Sequence, residues 1–339
     1  MSGGITQLVA IGAQDSHLVG NPEVSFFRSV YRRHTNFSHV VDRQILIGNP
    51  SAGGISTVRF ERKGDMLGYV YLTLNNGGTS NLIAGENEIE KVEFLIGGQV
   101  IDTQTSDFSV NVGDPLLVSS VTKSVSTPAN FYPLHFWFCE NYQSAIPLVA
   151  LQYHDVEIRV TWKSPATTGT YECWADYIYL DEAERAEIAS KPVNMLITQT
   201  QQSVVQAGPQ HELNFNHPIK FLAAGENLVS SPTDTTLQIQ VNGVQIGEPR
   251  LYTPHYNETP LYYHCPFFGT DVAGQSFFLH SFCLDTNKFQ PTGSLNFSRL
   301  DSVRLMASSL GLTGSMNIYG VNYNILRIEN GMGGLMYAN

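Results

Sequence analysis

Apolar and polar residues alternate along most of this chain. The clearest run is Ile146 to Trp162, IPLVALQYHDVEIRVTW. Ile146-Pro147 brings the chain in extended, because the proline ring crowds the helical region for the residue before it. From Asp155, Val156, Ile158 and Val160 alternate with Glu157, Arg159 and Thr161. A period of two is that of a strand with one buried face. Similar runs, ended by Gly, Asn or Pro, begin after Phe37: VVDRQILIG, STVRFERKG, YVYLTLNN, FYPLHFWFC and YECWADYIYL. VEFLIGGQVID reads as a hairpin turning at Gly97-Gly98. About eight strands are expected between residues 37 and 180.

Two stretches break this rhythm. Asn21 can cap a helix, Pro22 suits its first position and Glu23 suits the positive end of its dipole. Val24, Phe27, Val30 and Tyr31 recur at helical spacing, and Arg28, Arg32, Arg33 and His34 gather at the far end. The pattern predicts a short amphipathic helix over 22–34 with a basic end, preceded by an extended arm with turns. DEAERAEIAS, from Asp181, predicts a short, charged, exposed helix ending before Lys191-Pro192. A second strand series follows: MLITQTQQSVV, HELNFNHPIKFLAAG, LQIQVNGVQIG, SFFLHSFCLD, GSLNFSRLDSVRLMASS and MNIYGVNYNILRI. The tail from Asn330 to Asn339 is glycine-rich and reads as irregular.

The second series repeats the first. Gly98 and Gly243 stand 145 residues apart, as do Arg159 and Arg304, and Trp174 and Tyr319. Phe138-Cys139 and Phe282-Cys283 are offset by 144. Earlier in the chain the offset drifts, with Phe60 matching Phe215 at 155. Repeats of ~20–50 residues would mean a solenoid or propeller; this one is a whole domain. Eight antiparallel strands per unit make a two-sheet jelly roll, whereas an immunoglobulin-like sandwich is shorter, with about seven. The expected fold is all-β: two tandem eight-stranded antiparallel jelly rolls. Residues 1–36 form the arm and basic helix, 37–192 the first roll with its linker helix, and 193–339 the second roll with its tail.

Bulk properties narrow the function. The net charge of −11 argues against a chain devoted to neutralising phosphates. The 339 residues hold four cysteines, none in a C-x-x-C pair, too few for a disulfide scaffold. Free buried thiols and a reducing compartment are the expectation. There is no secretory pattern at the start and no apolar run long enough to span a membrane. Asn36, Asn257 and Asn296 head N-x-S/T triplets, read as unglycosylated matches.

Motifs of chemistry are sparse. His255, Glu258, His264 and Cys265 cluster in sequence, but without paired metal-ligand spacing. His211 and His217 read as strand residues. Asp15-Ser16-His17 has triad letters, but adjacent residues cannot make triad geometry. No nucleophile elbow, P-loop, paired-histidine zinc motif or dinucleotide fingerprint is present. No catalytic residue, metal or cofactor is expected.

The words of the chain also resemble a family. QLVAIGAQDSHLVGNPEVSFFRSVYRRHTNFS, IPLVALQYHDVEI, YIYLDEAERAEIA, PTGSLNFSRLD and YGVNYNILRIENGMGGL are similar, in this order, to double jelly-roll major capsid proteins of nucleocytoplasmic large DNA viruses. The departure is length: connections such as Gly225 to Pro232 and Asp271 to Gln275 are compact, so outward towers would be trimmed. The resemblance implies a structural subunit that trimerises into pseudo-hexagonal capsomers tiling an icosahedral shell. Its partners would be two further copies, neighbouring capsomers and minor capsid or penton proteins, with an internal membrane beneath the shell left open. It implies residence in the virion after assembly in the host cytoplasm. Arg28, Tyr31, Arg32 and Arg33 would form an assembly contact at the base. A carbohydrate- or receptor-binding β-sandwich spike or minor capsid protein is the alternative; a β-sandwich hydrolase is a third reading.

Overall fold

The structure, a computed structural model, describes residues 3–27, 31–76, 79–81, 85–117, 131–165, 169–265, 277–308 and 311–338. Met1–Asn36 is a compact unit of its own. Gly3–Val9 and Ser16–Val19 are helical, where an extended arm was expected. The helix expected over 22–34 is not there: none of its described residues is helical. Asn21 takes a left-handed φ of 59° instead of capping. Short helices are marginal unless an apolar face is buried, and Val24, Phe26 and Phe27 are exposed.

From Phe37 the chain runs through two sets of eight strands. The first set is β1 (Phe37–Gln44), β2 (Ile55–Arg59), β3 (Met66–Asn76), β4 (Ile89–Ile96), β5 (Gln99–Thr105), β6 (Tyr132–Pro133 and Ile146–Pro147), β7 (Val156–Trp162) and β8 (Thr170–Leu180). The second is β9 (Val193–Val204), β10 (Gln210–Glu212), β11 (Pro218–Ala224), β12 (Thr236–Val241), β13 (Val244–Leu251), β14 (Phe278–Ser281 and Leu295–Asn296), β15 (Val303–Ala307) and β16 (Asn317–Glu329). In the first roll the sheets run β1-β8-β3-β6 and β2-β7-β4-β5, with two short strands added, Leu46–Ile47 beside β2 and Thr79–Asn81 beside the end of β3. In the second they run β9-β16-β11-β14 and β10-β15-β12-β13, the same order eight strands on. Each pair of facing antiparallel sheets is a jelly roll.

Local chemistry explains the shared elements. In β7, Val156, Ile158, Val160 and Trp162 are buried and the residues between them are not. Burying such a side chain contributes roughly 1.5–3 kcal/mol. The β4–β5 turn has φ 57° at Gly97 and 82° at Gly98; the β12–β13 turn has 48° at Asn242 and 79° at Gly243. Two left-handed central residues make the tight hairpin that matches strand twist, and Gly or Asn tolerates them. Both rolls also break their sixth strand. The pieces of β6 pair with the middle and the start of β3, and those of β14 with the two ends of β11. Phe138-Cys139 and Phe282-Cys283 lie in the two inserts.

Register corrects the repeat in places. Ile96 faces Val156 and Val241 faces Val303, so Glu157 is the equivalent of Arg304, two residues from the sequence match with Arg159. The slip keeps both arginines on one face. Likewise Phe60 N–H donates to Val156 O (3.0 Å) and Leu213 N–H to Val303 O (2.8 Å), so Leu213, not Phe215, is the counterpart of Phe60. Trp174 and Tyr319 are equivalent: they face Tyr71 and Ala223, while Tyr177 and Asn322 face Leu67 and Ile219.

Three other expectations change. Ile146 to Trp162 is two strands in different sheets, not one run. In FYPLHFWFC only Tyr132–Pro133 is strand, and Trp137–Glu140 is a helical turn. Leu134, Phe136, Trp137 and Phe138 are all buried, and a run covered on every side has no telling period. The tail is not irregular: Met332–Leu335 pairs with the end of β16. The linker helix is Glu182–Ser190, with Asp181 at its cap and no buried residue; Arg185 Nε meets Asp65 Oδ1 at 2.8 Å.

Candidate assembly faces

The two rolls meet through a joint built from the first roll's β5 and the segment after it. Phe108, Val112 and Leu116 of that segment pack on Phe221, Ala223, Leu279, Tyr319 and Val321, the outer side of the second roll's β11, β14 and β16. Tyr319 donates its hydroxyl to Asp107 Oδ2 at 2.6 Å, so the Thr105 hydroxyl 2.8 Å away donates to Tyr319. Burial and the Asp107 carboxylate both hold the Tyr319 phenol well above its ordinary range. Asp102 Oδ1 accepts the backbone N–H of Thr200 at 2.8 Å, and Gln199 donates to the Ile101 carbonyl. Burial pushes Asp102 up to about 6 against the hydrogen bonds it accepts from Thr200, Gln104 and Thr103.

The joint is also a shared core. Ile197 of β9 and Leu326 and Ile328 of β16 belong to the main apolar cluster of the first roll. A Cβ on Gly333 would stand 2.7 Å from Leu151 Cδ2, and one on Gly225 would stand 2.2 Å from Asn111 Cβ. Both glycines permit close approach between the rolls.

On the equivalent face of the first roll Tyr69 and Phe131 are exposed and Tyr71 and Trp174 half-buried, with no second-roll cluster on them among the described residues. Tyr69 and Tyr71 of β3 point outward with their rings 6.3 Å apart, and Phe131 lies 5.8 Å from Tyr71. Trp174 stands opposite Tyr71 and donates its indole N–H to Thr73 Oγ1 at 3.1 Å. Arg43–Glu172 and His39–Asp176, both at 3.1 Å, flank the aromatics. Motif reading missed this face, although YVYLTL carried the signal. Val70, Leu72 and Leu74 form the inner face, yet the alternate positions hold Tyr69 and Tyr71. A strand without a polar face has something on both sides.

Of the residues expected at the assembly contact, Arg28 lies outside the described residues. Tyr31, Arg32 and Arg33 are exposed in the N-terminal unit and carry no regular structure. Among the described residues no three His, Cys, Asp or Glu side chains gather closely enough to hold a metal. His264 Nδ1 stands 3.2 Å from the Leu284 carbonyl, and Cys265 Sγ stands 3.5 Å from that of Pro115. Asp15 accepts the Gly12 N–H at 2.7 Å, and Ser16 donates to the Ala13 carbonyl at 2.8 Å, so both serve a local turn. All four cysteines are free thiols.

Residues 25–181 match the family model for the major capsid protein N-terminus. The chain is 34% identical to the major capsid protein of Pyramimonas orientalis virus, with both chains covered in full. The chain belongs to the major capsid protein family of large DNA viruses. It is 32% identical to the major capsid protein of Paramecium bursaria Chlorella virus 1, again over the whole of both. The capsid chain in a quasi-atomic model of that virus superposes with a TM-score of 0.76 at 27% identity, over 93% of this chain and all of the other. The Faustovirus major capsid protein shares the fold, with a TM-score of 0.61 at 12% identity over 94% of each chain. As a major capsid protein with two jelly rolls, the chain is a structural component of a virion.

It is a compact member. The alignment with the Chlorella virus protein spans 439 positions, 100 more than this chain has residues, so the relative carries insertions absent here. The connection from Gly225 to Pro232 is one of the short ones, with Leu228 and Val229 tucked into the second roll's core. Asp271 to Gln275 lies outside the described residues.

Proposed function

We propose that three copies of this chain close into a pseudo-hexagonal capsomer, and that such capsomers tile the facets of an icosahedral shell. The observation that carries this is the strand order repeated eight strands on, with matching hairpins and matching breaks. Two similar rolls per chain give six similar sides around a threefold axis, and cyclic symmetry closes such a ring. The two rolls divide at the linker, 37–192 and 193–339, with 1–36 as a separate arm. Arg28, Tyr31, Arg32 and Arg33 in that arm form a contact to a neighbouring capsomer, a minor capsid or penton protein, or a membrane under the shell. Assembly takes place in the host cytoplasm, and the subunit works by packing, with no catalysis of its own.

Light scattering on the purified chain is expected to give three times the chain mass, and negative stain to show hexagonal outlines. A strict monomer at high concentration would remove the proposal. Arg32→Glu with Arg33→Glu is expected to leave the trimer intact and weaken association between trimers. An unchanged shell would discard the arm contact.

A further inference from the structure

The N-terminal unit, residues 1–36, is built unlike the rest of the chain. Asp15 aside, every described residue in it is exposed. Ten large apolar side chains from Ile5 to Tyr31 are among them, with Leu18 at 82%, Phe26 at 95% and Phe27 at 96% exposed. Single exposed apolar residues are ordinary on a soluble surface, but so many in one stretch are not. In the helix Gly3–Val9, Ile5, Leu8 and Val9 share one side by spacing, and none is buried. The rings of Phe26 and Phe27 meet edge to face with centroids 4.9 Å apart, yet both stay open to solvent.

Charge is segregated in the same stretch. Arg28, Arg32 and Arg33 oppose only Asp15 and Glu23 there, while the whole chain carries −11. Arg32 and Arg33 are exposed. The arm is thus apolar and cationic on a chain that is otherwise acidic. The spread of its residues favours one kind of partner. A protein groove takes an apolar face of regular period, because its pockets sit at fixed places. Beyond the first helix no such period holds: Ile11, Leu18, Val19, Val24, Phe26 and Phe27 fall at irregular steps. A lipid interface asks only that apolar side chains enter it while cations stay among the headgroups. Anionic headgroups attract the arginines, and the acidity of the rest of the chain keeps its body off such a surface.

We propose that the arm binds an anionic lipid bilayer, with Phe26 and Phe27 entering the headgroup boundary and Arg32 and Arg33 meeting the anionic headgroups. A single short apolar arm gives only marginal attachment, and arms carried by several joined copies add to one another. The proposal rests on the reading of the arm as a contact and names its partner.

In the test the full chain is floated with vesicles of phosphatidylcholine alone, and of phosphatidylcholine and phosphatidylserine in equal parts. Binding is expected to the mixed vesicles and not to the neutral ones, and it should fall as salt is raised, because exposed charges are screened. Phe26→Ser with Phe27→Ser is expected to weaken binding about tenfold or more. Its melting curve should not change, since both rings are solvent-facing. Leu18→Ser with Val19→Ser repeats the measurement if the first pair loses its fold. Arg32→Glu with Arg33→Glu is expected to abolish the preference for mixed vesicles. No binding of the unaltered chain to mixed vesicles would overturn the proposal, as would equal binding by the phenylalanine variant. Weakened association between trimers in that variant, with no vesicle binding by the unaltered chain, would make the partner a protein and overturn it too. Light scattering keeps the capsomer reading separate: a monomer that floats with mixed vesicles through Phe26 and Phe27 supports the lipid contact and removes the trimer.

Discussion

The two rolls share a strand order but not a core. The first roll has one continuous cluster, with Phe94 touching Phe136, Trp137 and Phe138 at ring distances of 5.5, 5.3 and 4.9 Å. That cluster takes in Ile197, Leu326 and Ile328 from the second roll. The second roll's apolar residues fall into two clusters, one inside the barrel and one at the joint. Near-identical topology thus houses different dependence: the first roll is completed by the second, while the second keeps a core of its own. The histidines near the two broken strands differ in the same way. His135 is buried between Glu140 and Asp114, at 2.5 and 3.0 Å. Burial alone would lower it, but the two carboxylates outweigh burial and hold it up to about 9. Among the described residues His280 has no carboxylate partner. Burial, with Arg250 and His264 adding to it, pushes it down to about 4.

The largest effect that can break this comparison is a charge in either core. Val156→Asp and Val303→Asp are each expected to cost roughly 3–5 kcal/mol. Hydrogen exchange separates them: Val156→Asp should raise exchange in both rolls, and Val303→Asp mainly in the second. Equal spread from both would erase the asymmetry. Gly225→Ala comes next, since its Cβ would meet Asn111 across the joint. Overpacking of about 1–3 kcal/mol is expected in thermal melts, and an unchanged melting temperature would mean that the joint yields.

Smaller effects sharpen the contrast between the covered and uncovered faces. Tyr319→Phe removes the donor to Asp107 and is expected to cost about 1–3 kcal/mol in denaturant titration. Trp174→Phe removes an equivalent but half-buried bond, and the isolated chain should lose only about 0.5–1 kcal/mol. Finally, pH should act on the rolls in opposite directions. His135 has a folded pKa above its ordinary 6.5, so its contribution is full below about 6.5 and disappears as pH rises through about 9. His280 has a lowered one, so its contribution is full above about 6.5 and is lost as pH falls through about 4. Asp102, raised to about 6, runs against His280 on the acid side, losing its contribution as pH rises from about 4 to 6. Melting curves against pH should therefore flatten on the alkaline side in His135→Gln and on the acid side in His280→Gln.

Much of this was legible in the sequence, for reasons that can be named. Strands with one wet face, such as Val156 to Trp162, announce themselves by period. The hairpins at Gly98 and Gly243 were legible because few residues accept two left-handed positions in succession. The linker helix carried its cap and charges. The tail was not legible, because Met332–Leu335 is strand only by pairing with β16. The helix placed over 22–34 had the right spacing and the right ends, but its described apolar side chains, Val24, Phe27 and Tyr31, are exposed. The aromatic face carries no motif of chemistry, since Tyr69, Tyr71 and Trp174 offer shape and apolar area. Register slips of two residues, as at Arg159 and Arg304, preserve every face and leave no trace in a hydrophobic pattern.

The seating of Leu326 and Ile328 in the first roll has a consequence for the order of events during synthesis. The first roll leaves the ribosome before the second, yet its core lacks these side chains until β16 has been made. A nascent chain can pair β1 through β8 and still remain loose at the side where β9 and β16 belong. The aromatic face then sits on an unfinished barrel. Completion of the first roll waits for β9 and β16 to bring in Ile197, Leu326 and Ile328.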